Sequence, residues 1–307
     1  MSKNIDIVEV GPRDGLQNEP VPFSTEDKLD LICQVMAAGA RRIEVASFVH
    51  PKVVPQMADA EKLVAGLPDN RDVTYIGLVV NGRGYERALA TRGNGRGIDE
   101  IGCVAVVSDT FAMKNQGQTS DESIAISKDI IRRAKKDGLS AQVTLSAAFG
   151  CPFEGLVDPA RVVRIAENLA EAEPQEIAIA DTIGVAVPSQ VRDLFGALQE
   201  ALPEMKFRGH FHNTRNTGIA NAWAAYEAGV RTFDASLAGL GGCPFAPKAT
   251  GNIATEDLVY MFERSGVKTG LDLKALIGSA HWVGDKLGRQ PPAMVSQAGE
   301  FPRELAS

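Results

Sequence analysis

Eight short β-branched runs, each followed by a helical stretch, predict a (β/α)8 TIM barrel, an α/β fold built on a closed parallel sheet. Two further observations support this class. Strand starts lie roughly 25 to 40 residues apart, the length of a unit that returns to a parallel neighbour through a helix. The first βα turn, Gly11-Pro12-Arg13-Asp14-Gly15, lacks the Gly-X-Gly-X-X-Gly phosphate fingerprint that an open doubly wound sheet shows at that point.

The strands begin at Ile5 (IDIVEV), Arg42 (RIEVA), Val73 (VTYIGLVV), Ile98 (IDEIGCVAVV), Ala141 (AQVTLSAAF), Glu176 (EIAIA), Lys206 (KFRGHFH) and Thr232 (TFDAS). Between them, helices are expected at 25–39, 55–66, 83–91, 120–137, 158–172, 188–201, 217–228 and 255–265, with further helical sequence at 271–288. No Pro/Ser-rich linker divides the chain. It reads as one catalytic domain over 1–307, with 271–307 as a C-terminal extension whose tail, from Gln290-Pro291-Pro292 onward, runs over the surface.

Composition narrows the function. With 44% hydrophobic and 23% charged residues the chain is globular. A formal charge of -7 and the lack of a basic stripe argue against nucleic-acid binding, but not against an anionic small substrate. No apolar run is long enough to span a membrane. The start, Met1-Ser2-Lys3-Asn4-Ile5, leaves no room for a leader, so a cytoplasmic enzyme is expected. The cysteines at 33, 103, 151 and 243 are widely spaced and form no Cys-X-X-Cys, which points to reduced thiols. Cys33 and Cys103 lie in apolar runs and are expected in the core. Cys151 and Cys243 stand in Gly/Pro turns.

In such barrels the site lies at the C-terminal ends of the strands, and the polar residues collect there: Arg13 and Asp14 after strand 1, Glu44 in strand 2, Asp181 after strand 6, His210 and His212 at the end of strand 7, Cys243 and Asn252 in the glycine-rich loop after strand 8. Side chains two apart on a strand share a face, so His210 and His212 aim at one point while Phe211 faces away. Each residue alone has a plainer reading: a turn ion pair for Arg13 and Asp14, a helix cap for Asp181, a turn former for Asn252, an idle loop thiol for Cys243. Glu44 is harder to excuse, because a carboxylate in a buried apolar strand needs a partner, for which Arg13 is the candidate. Two imidazoles, the Asp14 carboxylate and the Asn252 amide oxygen form a mixed N/O set that suits octahedral Mg²⁺ or Mn²⁺ better than Zn²⁺. Cys243, on a glycine loop, suits a mobile acid/base better than a fixed ligand.

The segment from Val8 to Glu19 resembles the opening motif of the hydroxymethylglutaryl-CoA lyase family. So do Ser47-Phe48-Val49, Val54-Pro55-Gln56-Met57, Gly150-Cys151-Pro152, Asp181-Thr182-Ile183-Gly184, the histidine pair, Ala238 to Pro244 and Gly251 to Met261. The wider group is the DRE-TIM metallolyases, whose Asp, Arg and Glu correspond to Asp14, Arg13 and Glu44. The resemblance implies that Asp14, His210, His212 and Asn252 ligate a divalent cation. It further implies that Cys243 is the acid/base, that Arg13 stabilises an enolate oxygen while Glu44 holds it, and that Asp181 lies at the site. It implies retro-Claisen cleavage of an acyl-CoA, giving acetyl-CoA and acetoacetate from 3-hydroxy-3-methylglutaryl-CoA, and a homodimer.

One segment departs. The family reads His-X-His-Asp-Thr-Tyr-Gly-Gln, and here the acid and the tyrosine are Asn213 and Arg215. Arg215 is either a solvated helix-start residue or a bidentate reader of a different substrate carboxylate. Citramalyl-CoA, methylmalyl-CoA or a longer branched acyl-CoA are the alternative substrates. A metal-dependent hydrolase fits less well, since His50 and His281 lie at no suitable strand end. A Claisen-type synthase of the same group usually carries C-terminal extensions that this chain lacks.

Overall fold

The computed structural model describes residues 4–242 and 251–302. Its strands are β1 (Asp6–Glu9), β2 (Arg42–Ser47), β3 (Thr74–Val79), β4 (Glu100–Val106), β5 (Ser140–Ser146), β6 (Ile177–Asp181), β7 (Phe207–Phe211) and β8 (Thr232–Ala235). All pair in parallel, and β1 closes the barrel by pairing with both β2 and β8. Five lie within a run expected from the sequence, and β2, β5 and β6 each extend one residue beyond theirs. These strands are buried on both faces because one face packs on the outer helices and the other lines the barrel interior.

The helices are α1 (Thr25–Ala37), α2 (Ala60–Ala65), α3 (Gly82–Ala90), α4 (Asp109–Gln116), α5 (Ser120–Lys136), α6 (Pro159–Ala170), α7 (Pro188–Ala201), α8 (Gly218–Glu227), α9 (Thr255–Arg264), α10 (Leu273–Leu287) and α11 (Met294–Ala298). Helix α5 shows why they form where they do. Thr119 and Glu122 close a reciprocal capping box at its start, and Ile124, Ile130, Ile131 and Ala134 make one buried stripe.

Several details differ from the sequence-based expectation. The helix expected at 55–66 splits into a single turn, Pro55–Met57, and α2. The chain turns there because buried Lys28 and Thr25 draw the Asp59 carboxylate inward, at 2.6 and 2.8 Å. Helix α4 is additional; it buries only Phe111 and Ala112, too little for an apolar stripe to be visible. Cys33 is exposed rather than core. It falls off the buried stripe of α1 formed by Lys28, Leu31, Ile32 and Val35. Cys103 is buried, as expected. The extension is anchored: Trp282 of α10 packs edge-on against Phe23, Arg289 grips Glu19 with two 2.8 Å bonds, and Asp257 caps the start of α11.

The lower barrel interior holds a charged layer where aliphatic side chains are usual. Arg42 pairs with Glu100 at 2.9 Å and Glu176 at 3.3 Å. Arg208, 2% exposed, pairs with Glu176 at 3.1 Å and Asp234 at 3.0 Å and donates to Gln142 at 2.9 Å. Buried charges persist only when paired in this way. The layer sits directly beneath the functional rim.

Candidate active site

After β1 the chain makes one wide π-type turn, Gly11–Gly15, closed by the Gly15 N–H on the Val10 carbonyl at 3.2 Å. Such turns re-aim side chains and recur at functional sites. This one points Arg13 and Asp14 over the barrel mouth. Glu9 fastens it. One Glu9 oxygen accepts from the Gly11 and Leu237 N–H groups, both at 2.8 Å, and the other accepts from the Thr255 hydroxyl at 2.7 Å. A single carboxylate thus ties the β1 turn, the start of the glycine-rich loop and α9 together. Burial raises its pKa from 4.5 to about 7 against the pull of those three donors.

Arg13 forks onto Glu44 through Nε and Nη2, the partner expected for that buried carboxylate. Its Nη1 donates to Asp14 Oδ1 at 2.7 Å. Burial works against ionisation of Asp14, but Arg13 and the two imidazoles outweigh it and hold the pKa at about 2. The carboxylate is therefore charged at any physiological pH.

His210 and His212 project from the end of β7 with Nε2 atoms 3.2 Å apart. Two ligands in adjacent positions on an octahedral ion stand about 3 Å apart, given bond lengths near 2.1 Å. Burial, then the neighbouring His210, lower the His212 pKa to about 4, which leaves its imidazole neutral with a lone pair to offer. Asp14, His210 and His212 each bring one ligand atom to within 4.8 Å of the others.

Asn252 reaches this point from a distant segment. An antiparallel bridge sets it beside His212, with Asn213 N–H on Gly251 O at 3.0 Å and Ile253 N–H on Phe211 O at 3.1 Å. Gly251 is required there: a Cβ would lie 2.6 Å from the Gly239 carbonyl oxygen and 2.7 Å from that of Gly241. The Asn252 Nδ2 donates to Asp14 Oδ2 at 2.8 Å and Leu240 O at 3.2 Å, which fixes the amide orientation. Its Oδ1 is left buried without a hydrogen-bond partner. A buried acceptor with no donor is costly unless something else meets it. Two imidazole nitrogens, a carboxylate and this orphaned oxygen fit a divalent cation.

A cavity of about 520 Å³ opens above these groups. Arg13 is the one cation in its described lining. Thr144, Ser146 and Thr182 contribute hydroxyls, and Leu78, Val80, Val104 and Phe111 an apolar wall.

Other residues singled out in the sequence are placed differently. Asp181 stands in register with outward-facing Phe211, and its carboxylate accepts from the Val185 and Ala186 N–H groups at 2.8 and 3.0 Å. It serves the loop before α7, while its neighbour Thr182 lines the cavity. Asn213 Oδ1 accepts from the Gly218 N–H at 3.1 Å, a helix-start task that needs no charge. Arg215 is exposed and donates to the carbonyls of Ile183 and Gly184 at 3.1 and 2.8 Å. It fastens that loop and does not line the described cavity. Cys243 lies outside the described residues. Glu9 and Asp234 are site residues that the sequence reading missed. Asp234 lies at the floor of the cavity, where its carboxylate accepts from His210 Nδ1 at 2.9 Å.

A parallel barrel whose rim gathers carboxylate, imidazole and guanidinium groups at the strand ends defines an enzyme. The family model described as HMGL-like matches residues 4–283, and the chain belongs to that family of lyases. It is 44% identical to the (R)-citramalyl-CoA lyase of Chloroflexus aurantiacus, over 99% of this chain and 97% of that one. It is 43% identical to the hydroxymethylglutaryl-CoA lyase of Bacillus subtilis, over 95% and 96%. Among solved structures, an HMG-CoA lyase of Acinetobacter baumannii in complex with coenzyme A and 3-methylmalate superposes with a TM-score of 0.93 at 38% identity, covering 100% of this chain and 99% of that one. Among the described residues, no helix is long and apolar enough to cross a membrane.

Proposed function

We propose that the chain is a divalent-metal-dependent carbon–carbon lyase that cleaves 3-hydroxy-3-methylglutaryl-CoA to acetyl-CoA and acetoacetate. The observation that carries this reading is the convergence of Asp14, His210 and His212 with the orphaned Asn252 oxygen beneath a cavity that contains Arg13. A cation held by those residues, Mg²⁺ or Mn²⁺ by the hardness of the donor set, supplies Lewis-acid stabilisation of the substrate's C3 oxygen.

The chain's own residues do the rest. Arg13, locked by Glu44 and Asp14, presents fixed positive charge to the thioester oxygen, where the enolate charge develops as the C2–C3 bond breaks. The proton of the C3 hydroxyl passes to solvent as that oxygen becomes the acetoacetate carbonyl, and the C2–C3 electron pair goes to the enolate. Cys243, in the glycine-rich segment that follows β8 in the sequence, gives the proton that converts the enolate carbon to the methyl group of acetyl-CoA. The Ser146 and Thr182 hydroxyls line the same cavity and hydrogen-bond each other at 3.0 Å, which leaves one of their protons to donate to the carboxylate of the acyl arm.

Cleavage of citramalyl-CoA is the second reading, favoured by the likeness to the Chloroflexus enzyme. The two substrates share a methyl and a hydroxyl on C3 and differ by one methylene in the carboxylate arm. A difference of that size is worth about 1–3 kcal/mol of discrimination. An acyl-CoA panel with added Mg²⁺ or Mn²⁺ and products identified by mass decides. Acetoacetate with acetyl-CoA supports the first reading and pyruvate with acetyl-CoA the second. Release of acetyl-CoA from neither overturns both.

A further inference from the structure

Beneath the rim, Asp234 bridges two cationic or protonated partners. Its Oδ2 meets His210 Nδ1 at 2.9 Å, and its Oδ1 stands 3.0 Å from Arg208 Nε, a charge pair whose alignment is not that of a hydrogen bond. The register makes the contact unavoidable: Asp234 of β8 is the Cα partner of His210 of β7, and Arg208 precedes His210 by two residues on the same inward face. All three side chains are buried. Arg208 is itself held by Glu176 at 3.1 Å and Gln142 at 2.9 Å.

We propose that Asp234 is a positioning residue that sets the tautomer of His210, and that Arg208 sets Asp234. This rests on the metal site proposed above. A carboxylate has only acceptors to offer, so the His210 nitrogen facing it must carry the proton. With Nδ1 protonated, Nε2 keeps its lone pair and aims it at His212 and Asp14, where a cation would sit. A histidine ligand oriented from behind by a carboxylate is a general device for raising ligand basicity and fixing ring angle. What this chain adds is the arginine. Held by Glu176 and Gln142, Arg208 sets a fixed positive charge beside Oδ1 that favours an oxygen there, and it cannot give up its own proton.

The arrangement makes a sharp demand on Asp234→Asn, a substitution of nearly the same shape. An amide has one oxygen for two donors. If its NH₂ faced Arg208, donors would oppose each other beside a buried charge. The oxygen therefore faces Arg208 and the NH₂ faces His210 Nδ1, which must then accept. The proton moves to Nε2 and blocks the lone pair; an Asp-to-Asn change behind a catalytic histidine is known to act in this way. Glu176 keeps Arg42 at 3.3 Å, so replacing Arg208 as well does not strand that carboxylate.

The test uses full-length, metal-free protein labelled with ¹⁵N-histidine, which contains only four histidines. Long-range ¹H–¹⁵N spectra distinguish Nδ1–H from Nε2–H, and Mn²⁺ binding is measured by calorimetry on the same samples. Wild type is expected to show His210 as Nδ1–H. Asp234→Asn is expected to show it as Nε2–H and to bind Mn²⁺ about 10 to 100-fold more weakly. The double variant Asp234→Asn with Arg208→Met, in which the amide is free to offer its oxygen to His210, is expected to recover Nδ1–H. A merely structural role for Asp234 does not move the tautomer. Wild type with Nε2–H, or Asp234→Asn with an unchanged tautomer and unchanged Mn²⁺ affinity, overturns the proposal. Wild type that binds no Mn²⁺ overturns the metal reading beneath it.

Discussion

Glu9 offers a prediction that can be worked through from the structure. It is buried, accepts three hydrogen bonds, and its pKa rises from 4.5 to about 7. A carboxyl whose pKa is higher folded than unfolded contributes stability that is fully present below the unfolded pKa. That stability is lost as pH rises through the folded value. Each pH unit between the two is worth about 1.4 kcal/mol, so Glu9 alone removes about 3 kcal/mol of stability between about pH 5 and about pH 8. Gln at this position is neutral throughout. Its oxygen serves the Gly11 and Leu237 N–H groups, and its NH₂ donates to the Thr255 hydroxyl, as a protonated carboxyl does. Urea unfolding of wild type and Glu9→Gln across that range is the assay. The variant should match wild type at the acid end and exceed it by about 3 kcal/mol at the alkaline end. Parallel stability curves, or a gap that widens toward acid, refute the reasoning. Glu256, buried nearby, is raised to about 8 first by burial and last by the charge of Glu9, so its titration is common to both proteins apart from that smallest contribution.

Other perturbations test the rim itself. Glu44→Gln frees the guanidinium of Arg13 from its anchor; turnover should fall about 100-fold while calorimetry finds Mn²⁺ still bound. Arg215→Ala removes two hydrogen bonds to the Ile183–Gly184 loop, so it should cost about 1–2 kcal/mol of stability in thermal unfolding; the order of preference in the acyl-CoA panel should stay the same. Cys243→Ser should lower kcat by at least about 100-fold with little change in substrate affinity, and a change confined to KM contradicts its role as proton donor.

Much of the barrel was legible because its strands are apolar runs spaced by the length of a helix. The rim was legible because period-2 geometry placed His210 and His212 on one face and because buried Glu44 demanded a cation. The same geometry, taken one step further back, puts Arg208 on that inward face as well. It was missed because an arginine in a short strand reads as solvent-facing until the barrel closes and Glu176 and Asp234 arrive from other strands. Glu9 was hidden for the same reason: its three donors come from residues 11, 237 and 255. Asp181 and Arg215 carried polar groups at the right rim, but their partners are backbone atoms of one loop, which spacing cannot distinguish from a ligand. Cys33 was assigned to the core from local apolarity, though the helical stripe passes beside it.

The central claim is that Asp14, His210, His212 and Asn252 form a cation site. Calorimetric titration of chelator-stripped protein with Mn²⁺, wild type beside Asp14→Asn, tests it most directly. The account predicts saturable binding of one ion per chain in wild type, and an affinity at least about 100-fold lower in the variant, the upper end of what losing even an outer partner costs. A wild-type protein that binds no Mn²⁺, or a variant that binds it equally well, contradicts the account.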